Sequence, residues 1–259
     1  LSIILQIKYV MEKNIALFVK NGKNNFRSMQ QRDFIRCIDI MSEEKYMEKI
    51  SSIMKMHYAE TFHQYGANIQ GVDWGNKNDI EKLELRYEKM LNVIKHSALK
   101  MADDNISILD VGCGYGGLHE YALNNDFGFD YTGIDVCENM IEYAKEADKE
   151  GKYILGDILE YSSKENYTFI ICNGILTQKF DVSVREMDEY ARKLIRKMWS
   201  LSTKGIVFNI MKSQVDFMNE NLYYKSPLEI LGYCMTLTDK FILDSSYPLY
   251  EYSVYLYKV

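Results

Sequence analysis

An apolar run that passes straight into bare glycines and then into a helix constrains this chain more than any other feature. Residues 108–118 read ILDVGCGYGGL, with glycines at 112, 114, 116 and 117. Without a Cβ, glycine lets the backbone turn tightly, adopt positive φ and approach a ligand closely. A helix that starts there presents unpaired N–H groups to a polar or anionic ligand group. By spacing, Gly112, Gly114 and Gly117 satisfy GxGxxG, which also describes nicotinamide- and flavin-binding folds.

The sequence around this element has the matching rhythm. After the polar break Asp103-Asp104-Asn105, short apolar runs alternate with helical stretches, the pattern of βαβ units and a parallel sheet. Strands are expected at 106–111, 131–134, 153–155, 168–172 and 205–210, and helices at 118–123, 139–147 and 185–199. In the last helix, Met187, Ala191, Leu194, Ile195 and Met198 form a stripe suited to packing on the sheet. A helix at 227–238 precedes two strands, 240–243 and 252–259, whose connection is too short for a helical crossover and implies an antiparallel pair. In the final strand Tyr252, Val254 and Leu256 alternate with Glu251, Ser253 and Tyr255, so one face reads as more apolar than the other. The fold expected is α/β: a doubly wound, mostly parallel seven-stranded sheet ending in an antiparallel hairpin, with a helical N-terminal lid.

Three segments are expected: an unassigned N-terminal extension at 1–45 with a loop at 21–30, a helical lid or substrate segment at 46–101, and the core at 102–259. Helical character begins near Glu43. Ile80, Leu83, Tyr87, Met90, Leu91, Ile94 and Ala98 share one helical face, with Asp79 as the expected start cap.

Composition narrows the function classes. With 47% hydrophobic and 26% charged residues, a chain of 259 residues can bury a sizeable core. Its formal net charge is −6 and no basic cluster stands out, which argues against nucleic acid as the main partner. No apolar run reaches the roughly 18 to 20 residues needed to cross a bilayer, and no basic leader or cleavage site is seen at the start, so a cytoplasmic protein is expected. Five scattered cysteines without CxxC, and four histidines without HExxH, fit a reducing compartment and suggest no metal site. Nothing in the sequence indicates an oligomeric state.

Two acids refine the glycine motif. Asp110 lies two positions before Gly112, and Asp135 ends the next expected strand, where an acid can accept both ribose hydroxyls. A carboxylate beside a pyrophosphate would repel it in a partly desolvated site. A ligand bearing an ammonium and a sulfonium gains from the same carboxylate. From residue 106 to the C-terminus the sequence resembles the class I S-adenosylmethionine-dependent methyltransferases, whose glycine motif carries this preceding acid.

The resemblance implies that Asp110, Gly112, Cys113 and Gly114 surround the methionine part of S-adenosylmethionine. Asp135 would hold the ribose hydroxyls and Val136 would lie against adenine. Asp157 and Ile158, after the third strand, look like the pair that contacts the adenine amino group and packs on the ring; the alternative is a simple strand-end turn. Residues 169–177, FIICNGILT, look like the segment where cofactor and acceptor meet, with Cys172, Asn173 and Gly174 as contacts. Exocyclic-amine DNA methyltransferases carry an Asn/Asp-Pro-Pro-aromatic motif where this chain has Cys-Asn-Gly-Ile, which argues against that subclass.

The acceptor is expected to be a small molecule, held by the aromatic-rich segments 56–75 and 207–224. Tyr58, Tyr65 and Trp74 are the candidate contacts, and this first segment could close as a lid; for Phe62 and Trp74, helix packing is the other reading. Methyl transfer from a sulfonium is an in-line displacement that alignment and desolvation can accelerate, so a base is optional. Where the acceptor is a hydroxyl or protonated amine, His57 or His63 is the candidate base, since imidazole titrates near neutral pH. A nicotinamide-dependent oxidoreductase and a non-catalytic S-adenosylmethionine-binding protein are the competing readings.

Overall fold

The computed structural model describes residues 31–97, 105–163 and 165–258, with side chains from Met47 onward within the first helix. The loop expected at 21–30 lies outside the described residues, as do Asp103 and Asp104 of the polar break. Residues Lys45–Val259 form one compact unit.

In chain order the elements are α1 (Gln31–Tyr65), α2 (Ile80–Lys95), β1 (Ser107–Val111), α3 (Gly117–Asn124), β2 (Asp130–Asp135), α4 (Glu138–Ala147), β3 (Lys152–Leu155) and β4 (Tyr167–Cys172). A 3-10 turn (Ile175–Thr177), α5 (Val184–Leu201), β5 (Ser202–Lys212), β6 (Tyr224–Lys225), α6 (Pro227–Cys234), β7 (Phe241–Asp244) and β8 (Glu251–Tyr257) follow. The sheet runs β3-β2-β1-β4-β5-β8-β7, with the short β6 beside β5. The first five strands are parallel to their neighbours, whereas β8 is antiparallel to both β5 and β7. This is the mostly parallel sheet with a terminal hairpin that the sequence implies, plus the two-residue β6, too short to register as a pattern.

Strands covered on both faces read as continuous apolar runs, and alternation along them sorts residues between two layers. Leu109, Ile170, Phe208 and Val254 join one buried cluster with the α5 stripe and with Met47, Ile50 and Met54 of α1. Ile108, Phe169, Val207 and Tyr255 join the other, with residues of α2, α3 and α4. At the start of α5 the Ser183 hydroxyl accepts the Glu186 amide while the Glu186 carboxylate accepts the Ser183 amide, a reciprocal cap that fixes where this helix begins.

Besides the first helix, which starts at Gln31 and not near Glu43, three expectations change. The helix beginning at Pro227 stops at Cys234 instead of 238. Asp79 does sit at the start of α2, but its carboxylate turns back to accept the Asn76 amide and the Lys82 ammonium rather than capping the helix. The third change concerns β8, which is buried on both faces: Glu251 is 1% exposed and Ser253 0%. Insertion between β5 and β7 beneath α2 removes the wet side that the alternation suggested.

Strand order reverses at β1, whose neighbours are β2 on one side and β4 on the other, and such a switch point opens a crevice at the carboxyl ends of the strands. Phe208, fully buried in β5, tests the packing beneath it. Phe208→Ala is expected to lower unfolding free energy by about 3–5 kcal/mol in urea titrations, with the slope unchanged.

Candidate active site

A cleft occupies that crevice. Its floor comes from the loops that follow β1 to β4: Gly112–Tyr115 after β1, Asp135 and Val136 at the end of β2, Gly156–Ile158 after β3, and Asn173–Ile175 after β4. Ser51, Met54 and Tyr58 of α1, Val72 and Trp74 of the following loop, and Tyr190 of α5 complete the walls. Of the contacts named from the sequence for the cofactor, all but Cys172, which is fully buried at the end of β4, line this one space.

The glycine loop needs its glycines. Gly112 has φ +74°, and a Cβ there would meet the Ile175 side chain at 2.7 Å. Gly174, at φ +101°, lies so close to Trp74 that a Cβ would stand 2.5 Å from the indole. Side-chain atoms at either position would strain the backbone and fill the junction between the two loops.

Charge in the cleft is one-sided. Asp110 is 2% exposed, and Tyr131 donates its hydroxyl to the Asp110 carboxylate at 2.7 Å. Burial pushes the Asp110 carboxyl up to about 7, against the pull of that hydrogen bond and helped by Asp135. Behind it, the His119 imidazole stacks on Tyr131 at 4.3 Å and reaches Asp148 at 2.6 Å. Asp135 accepts the Gly114 amide at 2.9 Å and the Cys137 amide at 2.8 Å, so the second acid also holds the glycine loop in place. Burial raises its carboxyl, opposed by these backbone donors. Asp157 accepts the Leu159 amide at 2.8 Å and the Ser51 hydroxyl of α1. No Lys, Arg or His is among the described residues of the lining. The Asn173 side-chain oxygen, on a residue that lines the cleft, is buried without a hydrogen-bond partner among the described residues.

Two buried cysteines near the site are inert. Cys113 packs against Gly133 in the sheet, and burial drives the thiols of Cys113 and Cys172 upward, so neither is a nucleophile at neutral pH. Burial likewise raises the phenols of Tyr58 and Tyr190, which stay protonated as donors.

The acceptor candidates divide. Tyr58 and Trp74 line the cleft; His57, His63 and Tyr65 do not. His57 bonds Asp73 at 2.9 Å, and its ring meets Tyr58 edge-on at 5.1 Å, which places it behind the wall. Ser51, Met54, Val72, Met140 and Tyr190 escaped the sequence reading because they reach the cleft only through tertiary packing; Tyr190 alone had a signal, the polar tip on the α5 stripe.

Residues 108–197 match the model of a methyltransferase domain. A Mycobacterium tuberculosis protein named as a methyltransferase is 29% identical over 160 residues, covering 61% of this chain and 96% of that one. Magnesium protoporphyrin IX methyltransferase from Synechocystis PCC 6803, crystallised with S-adenosylmethionine, superposes with a TM-score of 0.58 at 15% identity over 81% of this chain and 97% of its own. The plantazolicin methyltransferase BpumL, in complex with a triazolic desmethylplantazolicin analogue and S-adenosylhomocysteine, gives 0.51 at 16% identity, over 82% and 99% of the two chains. The chain carries a methyltransferase domain on a fold shared with S-adenosylmethionine-dependent methyltransferases.

The cleft suits S-adenosylmethionine, with which the Synechocystis neighbour was crystallised. Three carboxylates without a cationic side chain, a bare glycine loop and an orphaned amide oxygen match a ligand with ammonium, sulfonium and hydroxyl donors. In calorimetry, Gly114→Val should abolish S-adenosylhomocysteine binding, because a Cβ there faces Val72 and Met140 across the cleft. Asp135→Ala should weaken it by about 1.5–3 kcal/mol. Unchanged affinity in both would contradict the placement.

Proposed function

We propose that this methyltransferase acts on a small-molecule hydroxyl or amine, with the donor and acceptor sharing the cleft between the strand ends and the α1–Trp74 wall. The observation that carries this reading is the wall itself. Tyr58, Trp74 and Tyr190 give the cleft aromatic sides with protonated phenols, and no basic residue among those described lines it to hold a phosphate backbone. The structural neighbours are named for magnesium protoporphyrin IX and for plantazolicin, which fits a fold that changes acceptor through its walls.

In this reading Asp110 and the Asn173 amide oxygen receive the donor's ammonium group, Asp135 its ribose hydroxyls, and Asp157 with Ile158 its adenine. When bound, S-adenosylmethionine supplies a methyl group on a sulfonium, an already activated carbon. The chain's contribution is then alignment and exclusion of water, with Trp74 and Gly174 closing the methyl end. Tyr58 donates a hydrogen bond to orient the acceptor. His57, held by Asp73 outside the lining, and His63 take no part as a base in this reading, so a His57→Ala/His63→Ala enzyme should keep its turnover.

Asp110 sets a pH dependence. Its carboxyl is raised from 3.8 to about 7 in the folded protein, so the proton it holds stabilises the fold at low pH, and that contribution is lost as pH rises through about 7. An ammonium partner favours the ionised form, so ligand binding must expel this proton below pH 7. S-adenosylhomocysteine affinity should therefore rise about tenfold from pH 6 to pH 8, and Asp110→Asn should flatten the profile. A labelled-methyl screen of hydroxyl- and amine-bearing metabolites tests the acceptor class; labelling confined to protein or nucleic acid would overturn it.

A further inference from the structure

Glu251 and Arg86 are 165 residues apart in sequence, yet the Arg86 Nε lies 3.2 and 3.1 Å from the two carboxylate oxygens of Glu251. The pair is sunk between β8 and α2, with side-chain exposures of 11% for Arg86 and 1% for Glu251. A buried ion pair is a poor way to gain stability, since apolar residues of like volume do as well or better. What this pair touches suggests another use. Glu251 accepts the Asn209 amide nitrogen at 3.0 Å, and the Asn209 oxygen accepts the backbone N–H of Gly174 at 2.8 Å. On its other side, the Arg86 guanidinium lies 4.0 Å from the centre of the Trp74 ring. Trp74 in turn rests against Gly174. The contacts close a ring: Trp74, Arg86, Glu251, Asn209, Gly174 and back to Trp74.

We infer that Arg86 and Glu251 are positioning residues that hold Trp74 and Gly174 in register at the methyl-transfer end of the cleft. The inference rests on the assignment of that end to methyl transfer. Chemistry dictates the residue types. Asn209 has its oxygen committed to Gly174, so its NH₂ points at position 251 and requires an acceptor there. A carboxylate supplies that acceptor, and its buried charge requires a cation. Arginine satisfies the carboxylate through its Nε while its guanidinium carbon stays over the indole. A lysine would keep the ion pair and weaken the contact with the indole, which separates positioning from simple structural support.

The chain has two tryptophans, so Trp199→Phe leaves Trp74 as the single emitter. In that background, acrylamide quenching and S-adenosylhomocysteine calorimetry are compared for the parent, Arg86→Lys and Arg86→Met. Arg86→Lys should keep the parent's melting temperature, yet raise the Trp74 quenching constant about twofold and weaken S-adenosylhomocysteine about threefold. Arg86→Met should show both effects with a lower melting temperature. Parent-like quenching and affinity in Arg86→Lys would overturn the inference and leave the pair a structural one. If the parent itself failed to bind S-adenosylhomocysteine, the methyl-transfer reading would fall, while quenching would still decide whether arginine holds Trp74.

Discussion

Uncompensated negative charge at a sheet switch point is the constraint on which this site depends. Asp110, Asp135 and Asp157 face one cleft, and the lining supplies no cationic side chain among the described residues. Burial, and to a smaller extent the neighbouring Asp135, penalises ionisation here, and the Asp110 carboxyl is held protonated up to about 7. Backbone amides from Gly114, Cys137 and Leu159 relieve part of that cost, and a positively charged ligand relieves the rest. Where a nucleotide-binding crevice of the same topology offers helix amides to a diphosphate, this one adds acids.

The fold then serves to keep two loops in contact. The bond from the Gly114 amide to Asp135 ties the glycine loop to the end of β2, and the bond from the Gly174 amide to Asn209 ties the opposing loop to β5. Ser51 of α1 reaches Asp157, so the helix that walls the cleft is anchored to the end of β3 as well. The first two ties join a backbone amide to a polar side chain and the third joins two side chains, an arrangement that fixes geometry more than it adds stability.

Local signals made much of this legible in the sequence. The apolar runs at β1, β4 and β5, the glycines at 112 and 114 and the acids at 110 and 135 announce themselves within a few residues, because strand burial and loop geometry are short-range demands. The α5 stripe is equally local. Long-range partners left no such trace. Glu251 reads as a solvent-facing residue of an alternating strand, and only the tertiary fold reveals that α2 covers it with Arg86. Ser51 and Tyr190 are ordinary helix residues until packing brings them to the cleft. His57, chosen for its chemistry, sits behind Tyr58 instead of in the lining, since residue type alone cannot say which side of a helix faces a cavity that other elements create.

Equilibrium dialysis of the wild-type protein against S-adenosylhomocysteine and NADH, each alone and in competition, tests the central claim most directly. A negatively charged cleft shaped for a sulfonium donor should retain S-adenosylhomocysteine at micromolar concentration and leave NADH at its free level on both sides. Retention of NADH, displaced poorly or not at all by S-adenosylhomocysteine, would contradict the account.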